Sequence, residues 1–163
     1  MRIANIIQDS IVDGLGFRMV VFTQGCPHHC PGCHNPSTWS YDDGYEMNIN
    51  TIIDIYKSNP MLDGITLSGG EPFIPERKDE LLKLVKEVKH LGGNVWAYTG
   101  YQLEDISDEY RDILQEVDYL VDGRFIIDKR NLSISFRGSD NQRIMKNNKD
   151  NTWTDISSHL DTK

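Results

Sequence analysis

The chain has 163 residues, a formal net charge of −8 and 38% hydrophobic residues, which fits one domain with a core of its own. The acidic balance argues against indiscriminate nucleic-acid binding, because phosphate neutralisation needs a basic surface. No apolar run approaches the length of a membrane span, and Met1 to Asn5 show neither a signal-peptide core nor a cleavage pattern, so a cytoplasmic protein is expected.

A short apolar run, Ile3 to Ile7, precedes the turn signal Asp13-Gly14-Leu15-Gly16. Phe17 to Thr23 is short and rich in β-formers, which predicts a buried strand. The stretch Gly25 to Asn35 follows and holds all three cysteines, Cys26, Cys30 and Cys33, spaced C-x3-C-x2-C. That spacing would line one helix face, but Pro27 and Pro31 lack an N–H and obstruct the preceding turn, so a loop is predicted. Trp39 to Met47 reads as irregular surface chain. Asn48 to Ser58 has apolar residues at helical spacing, with Asn48 or Asn50 as cap and Pro60 beyond its end. Gly64 to Ser68 predicts a strand that leads into Gly69-Gly70-Glu71-Pro72.

Lys78 to Leu91 is the clearest helix, since Leu81, Leu84, Val85, Val88 and Leu91 share one face and Gly92-Gly93 stops it. A strand over Asn94 to Thr99, a helix over Ser107 to Glu116 and a strand over Asp118 to Asp122 complete the alternation. One more short strand is expected near Leu132 to Phe136, and the polar tail from Met145 has weak periodicity. The β-α-β-α-β-α-β order calls for a mainly parallel sheet with right-handed crossovers. A closed eight-fold barrel needs about 250 residues, so the expected fold is α/β with an open, partial barrel in a single domain over residues 1–163.

Three clustered thiols, an odd number, fit metal ligation rather than a disulfide framework. A structural zinc would need His28, His29 or His34 as fourth ligand, whereas a [4Fe–4S] cluster held by three thiolates keeps one iron open. Both chemistries remain available from the spacing alone. The cysteine loop, Gly69-Gly70 and Asp122-Gly123-Arg124 all follow strand C-termini, where parallel α/β folds bind ligands.

The C-x3-C-x2-C motif resembles the signature of radical S-adenosylmethionine (SAM) enzymes. His34-Asn35, Thr38-Trp39 and the Gly-Gly-Glu-Pro segment at Gly69 to Pro72 resemble the branch that activates glycyl-radical enzymes. Trp96 to Tyr101, Val121 to Phe125 and Arg137-Gly138-Ser139 with Asn141-Gln142 are similar to activases whose protein substrate is an anaerobic ribonucleoside-triphosphate reductase. The resemblance implies that Cys26, Cys30 and Cys33 bind three irons and that SAM chelates the fourth. It implies reductive SAM cleavage, a 5′-deoxyadenosyl radical and a glycyl radical on the reductase, with a low-potential electron donor such as flavodoxin. Gly69, Gly70 and Glu71 would border the methionine end of SAM, Gly32, Cys33 and His34 its adenine, and Asp122 with Arg124 its carboxylate. No side chain is required as general acid or base. Gly32 stands where many radical SAM enzymes carry an aromatic residue, which excludes stacking from that position. Two rivals are an activase of another glycyl-radical enzyme, such as pyruvate formate-lyase, and a Cys3His zinc-binding interaction module.

Overall fold

The computed structural model describes residues 1–161. Its strands are β1 (Arg2–Ser10), β2 (Arg18–Thr23), β3 (Tyr45–Glu46), β4 (Gly64–Gly69), β5 (Asn94–Tyr98), β6 (Tyr119–Asp122), β7 (Arg143–Asn147) and β8 (Trp153–Asp155). Its α-helices are α1 (Ile49–Lys57), α2 (Lys78–His90), α3 (Arg111–Glu116) and α4 (Ser157–Asp161). The strands form one sheet in the order β3-β1-β2-β4-β5-β6-β7-β8. The central β2, β4, β5 and β6 run parallel, and antiparallel pairs flank them on both sides.

Alternation along the central strands sends Met19, Val21, Ile65, Leu67, Val95, Ala97 and Leu120 to the same core. There they meet Ile52 and Ile53 of α1, Leu81, Leu84, Val85 and Val88 of α2, and Ile113 of α3. Each fully buried aliphatic side chain contributes roughly 1.5–3 kcal/mol, so this layer fixes the register of the crossovers. α2 carries Asp79 and Glu80 in its first turn and Lys89 and His90 in its last, matching the helix dipole. The Asn48 side chain caps α1 by accepting from the Asn50 N–H at 2.8 Å.

The second face of the sheet holds Trp96, Val121 and Ile144, packed with Phe136 and Leu160. Arg18 is buried there and, among the described residues, has no carboxylate hydrogen-bond partner. It donates to Thr66 Oγ1 (2.7 Å), Asn94 Oδ1 (2.6 Å), the Leu15 carbonyl (2.9 Å) and the Ile65 carbonyl (2.6 Å). Thr66 in turn donates to the Asp13 carbonyl at 2.7 Å, which draws the turn after β1 onto this face.

The parallel centre and the α1 and α2 segments match the sequence expectation. The helix expected from Ser107 begins as a tight turn over Asp108–Tyr110 and becomes α-helical only at Arg111. The strand expected near Leu132 to Phe136 is absent. The Asn131 side chain accepts from the Ser133 N–H and hydroxyl, and Phe136 has a φ of 60°, which no ladder accommodates. The tail instead supplies β7, β8 and α4.

Candidate metal and cofactor site

β2 ends at Thr23, and the cysteine loop leaves from its C-terminal end. Both feet of the loop are fixed by backbone hydrogen bonds, Gly25 N–H to the Thr38 carbonyl (2.7 Å) and Cys26 N–H to the Trp39 carbonyl (3.1 Å). The Gln24 amide donates to the carbonyls of Ser37 (2.9 Å) and Ser40 (2.7 Å). Beneath the loop, the buried Arg77 guanidinium donates to the carbonyls of Gln24, Gly25 and Glu71. Inside it, Cys33 N–H bonds the Cys30 carbonyl (3.0 Å) and Asn35 N–H points at Cys33 Sγ (3.4 Å). Sulfur that already accepts a backbone N–H is suited to thiolate chemistry.

All three cysteines are free and half-buried. Burial pushes the thiols of Cys26 and Cys30 up from their ordinary value of 9.0, with backbone hydrogen bonds opposing the rise at each. Both therefore stay protonated at neutral pH until a metal displaces the proton. Cys26, Cys30 and Cys33 line a cavity of about 380 Å³ together with Gly69, Gly70 and Glu71.

The two glycines have specific reasons. Gly69 has a φ of +86°, and a Cβ there would lie 2.6 Å from both the amide and carbonyl of Thr23. At Gly70 a Cβ would run into the Gly25 carbonyl oxygen. The Gly70 and Glu71 N–H groups bond the carbonyls of Thr23 (2.8 Å) and Gly25 (3.0 Å). The β4 exit thus lies directly against the root of the cysteine loop.

Of the residues singled out in the sequence, Cys26, Cys30, Cys33, His34, Gly69, Gly70 and Glu71 border this cavity. Gly32, Asp122 and Arg124 do not. Gly32 (φ +76°) sits under Ile127, where a Cβ would meet Ile127 Cδ1 at 2.6 Å. Asp122 is buried against Arg143, its partner across the β6–β7 ladder, and accepts from the Leu103 N–H at 2.8 Å. Arg124 follows Gly123 (φ +98°) and is exposed. The expected Asp122–Arg124 pair therefore does not form, because the glycine between them breaks the extended alternation that would set them on one face.

Arg137 and Gln142, which the sequence offers only as part of a motif, and His28, which it offers only as a zinc ligand, also line the cavity. The Arg137 side chain is 5% exposed and paired with Asp161 of α4. Gln142 accepts from the N–H groups of Gly138 (2.8 Å) and Ser139 (3.1 Å) and donates to the Gly123 carbonyl (3.0 Å). The motif Arg137-Gly138-Ser139 with Asn141-Gln142 carried the signal, but only the β6–β7 pairing brings it to the cysteines.

The donor set fits an iron–sulfur cluster better than a mononuclear zinc. Among the described residues no three Cys, His, Asp or Glu side chains converge on one ion. A cluster asks for less, since each thiolate takes a different iron. The loop histidines that a zinc site would draw on are engaged elsewhere: His28 with Glu71, His29 stacked on Trp39 at 4.8 Å, and His34 tilted against Phe125 at 5.2 Å.

The model of the 4Fe-4S single cluster domain family matches residues 12–145. A relative from Escherichia coli (strain K12) is 37% identical over 140 residues, covering 82% of this chain and 91% of its own. One from Enterobacteria phage T4 is 36% identical over 159 residues, covering 94% and 98%, and one from Vibrio cholerae is 38% identical over 140 residues, covering 82% and 90%. Each bears the name anaerobic ribonucleoside-triphosphate reductase-activating protein. Among solved structures, QueE from Escherichia coli aligns with a TM-score of 0.49 at 14% identity, over 74% of this chain and 69% of that one. Thiols, cavity and relatives agree: the chain belongs to the family of anaerobic ribonucleoside-triphosphate reductase-activating proteins.

Proposed function

We propose that this chain activates an anaerobic ribonucleoside-triphosphate reductase by reductive cleavage of SAM at a [4Fe–4S] cluster. The observation that carries the reading is the cavity shared by Cys26, Cys30, Cys33 and the Gly69–Gly70 exit of β4. The three thiolates would each hold one iron, and the chain has no fourth cysteine for the last. When bound, the reduced cluster supplies the electron that splits the SAM sulfonium into methionine and a 5′-deoxyadenosyl radical, which takes hydrogen from a glycine Cα of the reductase.

The chain's own residues bind, orient and exclude water. The Gly69 and Gly70 backbone borders the space for the methionine end, and Cys33 and His34 border that for the adenine. Gly32 shapes the loop under Ile127, and Glu71 acts as a brace. Arg137 replaces Arg124 as the cation suited to the cofactor's carboxylate, because Arg137 is among the residues lining the cavity and its guanidinium is held in place by Asp161. Asp122 with Arg143 stiffens the end of β6. A mixed sheet with a parallel centre is consistent with an open, partial barrel in one domain, and a low-potential donor such as flavodoxin would deliver the electron.

Anaerobic reconstitution with iron and sulfide, followed by reduction and SAM, should yield 5′-deoxyadenosine and methionine. Cys30→Ala should abolish both products. Addition of the reductase should then produce a glycyl radical by electron paramagnetic resonance. A protein that takes up stoichiometric zinc, stays colourless and never cleaves SAM would overturn the proposal in favour of a binding module. A radical raised on pyruvate formate-lyase but not on the reductase would reassign the partner.

A further inference from the structure

His28 lies between two cysteines, yet its side chain is only 4% exposed and that of Glu71 is 0% exposed. His28 Nε2 stands 2.6 Å from Glu71 Oε1 and must donate, since the carboxylate can only accept. The Gly100 N–H (2.8 Å) and the Thr99 hydroxyl (2.8 Å) reach the same oxygen. The second oxygen accepts from the Phe73 N–H (3.1 Å) and lies 2.8 Å from the same Thr99 hydroxyl, whose single hydrogen the two oxygens share. With this set of donors the carboxylate is fully occupied by protein groups. Room for the imidazole comes from Gly100, where a Cβ would lie 2.7 Å from Nε2, and the ring meets Tyr101 edge-on at 4.6 Å. Nothing similar fixes His29, which is exposed and stacks on Trp39.

We propose that His28 is a positioning residue: through the Glu71 carboxylate it ties the segment between Cys26 and Cys30 to the exits of β4 and β5, so that the thiols keep their spacing before any metal arrives. Its consequence for the cluster rests on the function proposed above, but the bridge itself is made by protein groups alone. Glu71 of the Gly-Gly-Glu-Pro segment is then a structural anchor for the cysteine loop, and the adjacent glycines, not its carboxylate, face the cofactor. A buried carboxylate that lost its histidine donor would leave the segment between Cys26 and Cys30 without its tie to the exits of β4 and β5.

Three variants separate the bridge from simple packing. His28→Phe keeps a ring and removes the donor, His28→Gln keeps a donor at similar reach, and Gly100→Ala pushes the ring aside. Hydrogen exchange on the metal-free protein should show residues 26–34 exchanging at least tenfold faster in His28→Phe and Gly100→Ala, with α2 amides unchanged. His28→Gln should exchange like the wild type. After reconstitution, the resonance spectrum of the reduced cluster and its change on adding SAM should be altered in His28→Phe and restored in His28→Gln. Exchange in His28→Phe within twofold of the wild type, or no rescue by His28→Gln, would overturn the proposal. A wild-type protein that loads no cluster would overturn the proposed function alone, since the exchange data still decide the bridge.

Discussion

Gly69→Ala tests how tightly the β4 exit is pressed against the root of the cysteine loop. Gly69 has a φ of +86°, and its Cβ would sit 2.6 Å from the Thr23 amide nitrogen and carbonyl oxygen and 2.8 Å from the Phe22 carbonyl carbon. These are backbone atoms of a central strand, which cannot rotate away as a side chain could. The left-handed conformation costs an alanine roughly 1–2 kcal/mol, and overpacking adds about 1–3 kcal/mol. Gly92 supplies the control, because it has the same φ of +86° and nothing within 4 Å of its Cβ position. Gly92→Ala should therefore lose only the backbone component, and the excess in Gly69→Ala measures the collision with Thr23. For a chain of this size each kcal/mol corresponds to about 2–4 °C in melting temperature. The metal-free Gly69→Ala protein should melt roughly 5–15 °C below the wild type and take up less iron on reconstitution. If Gly69→Ala and Gly92→Ala melt together and both load iron normally, the close approach of β4 to β2 is not what the glycine serves.

Other expectations follow from the charged groups. The hydrogen bond from Arg137 holds the Asp161 carboxyl below its ordinary value of 3.8. Folding therefore releases a proton from Asp161, so its stabilisation is present above the ordinary aspartate range and is lost as pH falls through the depressed pKa. Asp161→Asn should lose about 1 kcal/mol at neutral pH, allowing for partial exposure, and the difference should vanish in strongly acidic urea titrations. Arg137→Gln should weaken SAM binding to the reconstituted protein at least tenfold by equilibrium dialysis, with Arg137→Lys retaining part of the affinity. Arg18→Met would leave Thr66 Oγ1, Asn94 Oδ1 and the backbone carbonyls of Leu15, Ile65 and Asn94 without the Arg18 donor. That should cost about 3 kcal/mol or more in urea unfolding. The raised Cys26 and Cys30 thiols predict slow alkylation of the metal-free protein at neutral pH, with the rate still climbing above pH 9.0.

Where the sequence was legible, local physics decided the structure. α2 announces itself through the spacing of Leu81, Leu84, Val85 and Val88, and β2 through an unbroken apolar run that stops at the cysteine loop. β1 was harder to recognise because it lies near the sheet edge, and its residues from Ile7 to Asp9 face solvent. β7 buries only Ile144 and Met145 between polar neighbours, so its strand character comes from pairing with β6 rather than from any period. In the site, the thiols and glycines were readable as motifs. Contacts between distant residues were not: His28 and Glu71 are 43 positions apart, and Asp122 finds Arg143 across a ladder that the sequence did not reveal. The family resemblance suggested Arg124 for Asp122, and the turn at Gly123 separates them.

The feet of the cysteine loop are joined by protein alone, through Gly25 to Thr38 and Cys26 to Trp39. Closing a loop is the entropically costly part of ordering it, and here backbone hydrogen bonds between protein groups make the closure. Loss of the proposed cluster would thus leave the hydrogen bonds that close the loop in place. Repair then amounts to refilling a mould.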